Sequence, residues 1–155
     1  MAYQRLQAGR CLAVIPSDTV DIPNIGAISV SSTTTSAVAD KLMDTEGDFV
    51  VNRVKVGDIV YTAAIAATVT AIDSATQLTV STAIPDATAY TIYSQVDNPS
   101  NGCALYCGGS GDIVIETMGG DTVTLASVPA GLFIPINTVK KVKAATDATN
   151  IIALW

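Results

Sequence analysis

Ala104-Leu105-Tyr106-Cys107-Gly108-Gly109-Ser110-Gly111-Asp112-Ile113-Val114-Ile115-Glu116-Thr117-Met118-Gly119-Gly120-Asp121-Thr122-Val123-Thr124-Leu125-Ala126 decides the fold. Three short apolar runs, at 104–107, 112–117 and 122–126, are parted by glycine-rich breaks at 108–111 and 118–121. Val123 and Leu125 alternate with Thr122 and Thr124. A period of two sends alternate side chains to opposite faces of a strand, whereas a helix needs apolar residues three and four apart. The stretch reads as three strands joined by tight turns.

Working outward, the element Gly-Asp-x-Val recurs at 47–50, 57–60, 111–114 and 120–123. Each reads as a strand entry after a turn, where Gly supplies an unusual φ and Asp bonds nearby backbone. The spacing is too uneven for a repeat architecture. On the N-terminal side, strands are expected at 10–15, 49–51, 59–62, 67–73, 77–81 and 90–94. An extended segment at 17–24 is held open by Pro16 and Pro23. Residues 28–36 are Ser/Thr-rich and read as a linker or an edge strand. The loop composition of 96–102 marks a second boundary, and 73–76 reads as a hairpin loop. On the C-terminal side, strands are expected at 132–136, 140–144 and 151–155. Closely spaced strands with turn signals argue for a sandwich or barrel.

The chain has 155 residues, the size of one domain or of a domain with a small insertion. Hydrophobic residues make up 49% and charged residues 14%, with a mean hydropathy of +0.43. So little charge leaves apolar area on the surface, and a second copy of the chain is the expected partner, in a trimer or pentamer. Aromatics are scarce at 5%, so the core must rely on β-branched and aliphatic side chains, which suit pleated sheets. The net charge of -6 opposes a phosphate backbone, and no basic stripe overcomes it, so nucleic-acid binding is excluded. Lys140, Lys141 and Lys143 read as a solvated strand edge. Arg5 and Arg10 precede an apolar stretch, 11–15, shorter than a signal h-region, and no run approaches a membrane span. The chain is expected to be made in a cytosol and to stay soluble.

The sequence contains no histidine. That removes the commonest general base, the Ser-His and Cys-His pairs, and a frequent metal ligand. Asp44, Glu46 and Asp48 alternate as in a calcium loop, but no Glu stands at the twelfth position, and a solvated acidic turn entering a strand is the plainer reading. Cys11, Cys103 and Cys107 fall short of a zinc site and suggest no disulfide framework; buried free thiols fit better. The glycines at 108–111 lack the Lys-Ser/Thr of a phosphate loop and read as a hairpin turn. No catalytic, metal or cofactor residue is assigned. A glycan hydrolase would need two opposed carboxylates in a cleft and an aromatic sugar platform, and the chain has one Trp.

Ser17-Asp18-Thr19-Val20-Asp21-Ile22-Pro23-Asn24 resembles the N-terminal signature of small capsid spike-base proteins of tailed phages and gene transfer agents. Leu105-Tyr106-Cys107-Gly108-Gly109-Ser110-Gly111-Asp112 resembles that family's next strand and turn. Gly119-Gly120-Asp121-Thr122-Val123-Thr124-Leu125 and Val128-Pro129-Ala130-Gly131 are similar to its hairpin and loop. Ala145-Thr146-Asp147-Ala148-Thr149-Asn150-Ile151-Ile152-Ala153-Leu154-Trp155 resembles its closing strand. The resemblance covers about half of the chain. In the family the signature and the Leu-Tyr strand adjoin, so the residues between them, about 25 to 102, read as an inserted module. The family has Val where this chain has Cys107, and Arg where it has Lys140, Lys141 and Lys143.

The expected architecture is all-β. A jelly-roll-like β-sandwich is formed by the N- and C-terminal segments, 1–30 and 99–155, and carries a small inserted β-barrel, 31–98. The resemblance implies a virion protein without enzymatic activity, cofactor or membrane partner, an oligomer docked on the major capsid protein at the outer capsid surface. A neck or tail component with a receptor-binding role is the alternative. Ile151, Ile152, Leu154, Trp155, Tyr106 and Phe133 are the candidate oligomer or capsid interface. The terminal apolar run is expected to be a full strand, with Trp155 in the core or at a subunit contact.

Overall fold

The alternation at 112–117 is matched by burial. Ile113 and Ile115 are wholly buried while Val114 and Glu116 are half-buried. A computed structural model describes residues 9–155; residues 1–8, Arg5 among them, lie outside it. The described residues form twelve strands. These are β1 (Cys11–Ala13), β2 (Ile28–Thr33), β3 (Lys41–Met43), β4 (Ile59–Tyr61), β5 (Ala66–Ile72), β6 (Gln77–Val80), β7 (Ala89–Tyr93), β8 (Cys103–Cys107), β9 (Gly111–Thr117), β10 (Thr122–Val128), β11 (Leu132–Val142) and β12 (Ile151–Leu154). The fold is all-β, with two six-stranded antiparallel sheets.

The chain divides into two compact units: an outer one of Met1–Asp18 with Asn101–Trp155, and an inner one, Thr19–Ser100. The sequence-based boundaries, 30/31 and 98/99, differ from these. Residues 28–30, expected in the terminal sandwich, belong instead to β2 of the inner sheet, which pairs with β7 from Ile28↔Tyr93 to Thr33↔Ala89.

In the outer unit the strand order is β1-β12-β8-β11-β9-β10. The two expected strands at 132–136 and 140–144 are one long strand, β11, which serves two partners. Its first part pairs with β8 (Phe133↔Tyr106) and its last with β9 (Lys141↔Glu116), with a register break between Ile134 and Val139. Pro135, which has no N–H to offer a ladder, stands in that break. The glycine-rich turn between β8 and β9 is explained by close approach. A Cβ at Gly108 would lie 2.8 Å from the Asn150 carbonyl oxygen, and one at Gly111 (φ 151°) 2.6 Å from the Ala148 nitrogen.

In the inner unit the order is β2-β7-β4-β5-β6-β3. Its core gathers Val30, Leu42, Phe49, Val60, Val69, Leu78, Ile84, Tyr90 and Ile92. The expected barrel does not close. β2 and β3 end the ladder, linked among the described residues by an isolated bridge, Ser36↔Met43. Past β2 the chain is drawn instead to the segment before β7. Thr34 donates its hydroxyl to the Pro85 carbonyl at 2.6 Å and exchanges backbone and side-chain bonds with Thr88. β3, Lys41-Leu42-Met43, is not among the strands expected from the sequence. Residues 49–51, expected as a strand, form a turn: Asn52 N–H donates to Asp48 and Val54 N–H to Phe49. Phe49 is nonetheless fully buried, 6.5 Å from the Tyr90 ring.

Candidate interaction surface

Antiparallel partners directly opposite each other share a face of the sheet. In the outer unit this rule lines up Ala13↔Ile152, Ile152↔Tyr106 and Tyr106↔Phe133, an apolar row across four strands. One step along, Cys11↔Leu154 and Leu154↔Ala104 add a second row on the same face. None of these side chains carries a fixed charge. Tyr106 is 36% exposed, Phe133, Ile152 and Leu154 are half-buried, and Cys11 and Ala13 are exposed. The structure thus brings together Tyr106, Phe133, Ile152 and Leu154 from the sequence-predicted set.

It separates the other two. Alternation turns Ile151 to the opposite face beside Ala153, where it is buried at 3% exposure, so it is a core residue and not part of this surface. Trp155 falls on the Ile151 side by the same alternation and is half-buried. Its backbone extends the ladder, donating to the Arg10 carbonyl and accepting from Gly9 N–H. Ala13 and Cys11 were missed. Their place depends on β1 pairing with the far end of the chain, which no local pattern reveals.

The lysines at 140, 141 and 143 do not form a solvated edge. Lys140 and Lys141 lie on β11, inside the sheet order, with Lys143 just past its end, and Lys141 is buried. All three converge on Glu116, at 2.6 Å from Lys143, 3.6 Å from Lys140 and 3.8 Å from Lys141. The hydrogen bond from Lys143 holds the Glu116 carboxyl below its usual range, helped by the lysine charges and opposed by burial.

The acidic turn is also other than expected. Asp44 is buried, accepting from the Tyr90 phenol at 2.6 Å and from Glu46 N–H at 2.9 Å. Burial works to raise its pKa, but bonds from Tyr90, Ser32 and the Glu46 amide outweigh that and lower it. The Tyr90 phenol is pushed up, first by burial and then by the carboxylate beside it. The turn does not enter a strand; it wraps Phe49, whose ring lies against Gly47. Among the described residues no group of three or more His, Cys, Asp or Glu is placed to hold a metal.

Cys103 and Cys107 are buried free thiols, whereas Cys11 is exposed on β1. Burial raises the Cys103 thiol to about 12, and its sulfur lies 3.6 Å from the Val139 carbonyl. Such a thiol is inert at neutral pH. Comparison of the chain with protein-family models, curated proteins and solved structures returned no match.

Proposed function

We propose that this chain is a structural protein of a tailed-phage virion. In this reading it is an oligomeric capsid decoration, cement or spike-base protein that docks on the major capsid protein. The outer unit, with its six-stranded sheet, would be the docking part, and the inner unit a small β module inserted into it. The observation that carries the reading is the uncharged Ala13–Ile152–Tyr106–Phe133 row on the outer unit. An apolar face of this kind is a contact surface, and repetition of a weak contact around a ring multiplies its strength. The motif resemblance supplies the setting, a capsid exterior. No nucleic acid, membrane, cofactor or catalytic residue enters the reading.

The second reading, a neck or tail component that meets a host receptor, is favoured by the inner unit. Val50 and Val51 are 59% and 75% exposed at a turn anchored by Phe49. The test has two parts. Light scattering on the full chain should give a trimer or pentamer, and Tyr106→Lys should lower that mass. Density in a cryo-electron map of purified particles should lie on the head; density confined to neck or tail selects the second reading, and a wild-type monomer overturns the ring.

A further inference from the structure

β10 ends the strand order of the outer sheet and, among the described residues, is bonded on one side, to β9. Thr122, Val123, Thr124, Ala126 and Ser127 are all exposed, so most of the strand faces solvent on both sides. Nothing between Thr122 and Val139 carries a charge, and Pro is absent from β10 itself. Natural edges are normally blunted by Lys, Pro, shortness or a bulge. The bulge here sits at the far end, where Ser127 (φ 54°) donates its N–H to Asp112 Oδ1 at 2.7 Å, leaving the stretch before it regular. The other end of this sheet, β1, has three residues and is already a short edge.

The hydrogen-bond phase of β10 follows from its turn. Thr117 N–H donates to the Asp121 carbonyl, so 117 and 121 form a hydrogen-bonded pair of the β9–β10 ladder. Antiparallel alternation then directs the N–H and C=O groups of Val123 and Leu125 to β9, and those of Thr122 and Thr124 outward, up to the bulge that follows Leu125.

We propose that β10 is a pairing edge for the β10 of a second copy, joined antiparallel about a twofold axis through Thr124. A twofold perpendicular to the sheet keeps each residue on its own face. With Thr124 opposite its counterpart, the two Thr124 residues exchange backbone bonds through their outward groups, and Thr122 faces Ala126 of the other copy, where the bulge begins. Val123 then lies beside Leu125 of the other copy in the closer, non-bonded position, forming an apolar cross-strand pair on each side of the axis. The uncharged strand brings no like charges together, and its residues 122–126 match themselves over a longer span than the three residues of β1 offer. This contact is distinct from the Tyr106–Ile152 row and joins two rings where both contacts hold, so the trimer or pentamer formed by the row alone becomes a hexamer or decamer. It rests on the proposed function only in that both require self-association.

The test uses the full chain. Thr124→Pro removes an outward N–H without touching the bonds to β9, and Thr124→Lys sets two cations against each other at the axis. Both should keep the native circular dichroism and raise the dissociation constant of the twofold contact by about tenfold or more. In a Cys11→Ser background, Thr124→Cys should give a disulfide-linked dimer on mild oxidation, because a hydrogen-bonded pair places its Cα atoms within disulfide range. Ala63→Cys in the same background should not. A wild-type oligomer that Thr124→Lys leaves unchanged, with no cross-link at Thr124, overturns the β10 contact and leaves the ring standing. A cross-linked Thr124→Cys dimer from a chain with no higher oligomer supports the contact and overturns the ring.

Discussion

Tyr90 on β7 donates its phenol hydrogen to Asp44 Oδ2 at 2.6 Å, joining the end of a strand to a turn 46 residues away. The carboxylate is 1% exposed and the ring 2%. A buried charge is tolerated only when its oxygens are satisfied, and here the phenol, Ser32 and the Glu46 amide satisfy them.

Tyr90→Phe keeps the ring packing on Phe49 and deletes the donor. A hydrogen bond to a charged buried group is worth about 1.5–3 kcal/mol. Urea denaturation should show a loss of that size; a loss below about 0.5 kcal/mol would mean that water replaces the phenol.

Acid should destabilise the fold through Asp44 and Glu116. Both carboxyls sit below their ordinary values of 3.8 and 4.5 in the folded chain, so the unfolded chain binds these protons more readily. Their stabilisation is present above those ordinary values and is lost as pH falls through the lowered folded-state ones. The melting temperature should be flat near neutrality and drop below about pH 4.5, and Glu116→Gln should lessen the drop. A profile unchanged by that substitution would show that the lysine cluster does not hold the carboxylate.

Gly111 and Gly120 both have positive φ, but their surroundings differ. A Cβ at Gly111 meets backbone atoms of Ala148 at 2.6 and 2.8 Å, while one at Gly120 meets nothing within 4 Å. Gly111→Ala should therefore cost about 2–4 kcal/mol through overpacking and strain, and Gly120→Ala about 1 kcal/mol through strain alone. Equal costs in a thermal melt would contradict the close approach of the β8–β9 turn to the segment before β12.

Deleting residues 153–155 removes half of β12, which pairs β1 on one side and β8 on the other. Ala153 is wholly buried and Ile151 nearly so. The outer unit should lose its cooperative transition in calorimetry. An unchanged melt would place the segment outside the folded core.

The inner unit should stand alone. Its core cluster, from Val30 to Ile92, draws every member from within Thr19–Ser100. That fragment, expressed by itself, should unfold in one cooperative step with native-like β circular dichroism. A gradual melt would show that the unit needs the outer one.

The strands that alternate most clearly were legible from the residues alone. The expected segments at 67–73, 77–81 and 90–94 lie within a residue of β5, β6 and β7, because alternation reports a half-buried strand directly. Phe49 misled for the opposite reason. An aromatic beside two valines has strand composition, yet tertiary packing buried the ring from a turn and left Val50 and Val51 in solvent. Of the candidate surface, Tyr106, Phe133, Ile152 and Leu154 were named from apolar character. Which of two adjacent isoleucines faces out was set by register, and a one-residue slip would exchange Ile151 with Ile152.

By itself the sequence determined the all-β class, the absence of histidine chemistry and the run of uncharged residues that leaves β10 unguarded. These depend on residue type and on a period of two, which are local properties. The tertiary structure alone decided which strands are neighbours: β1 with β12 across the whole chain, and β11 divided between β8 and β9. It also decided that Lys141 is buried against Glu116 and that the inner sheet stops short of a barrel. Such pairings form between segments far apart in sequence, and the free energy that selects them comes from burial and hydrogen bonds made only once the segments meet.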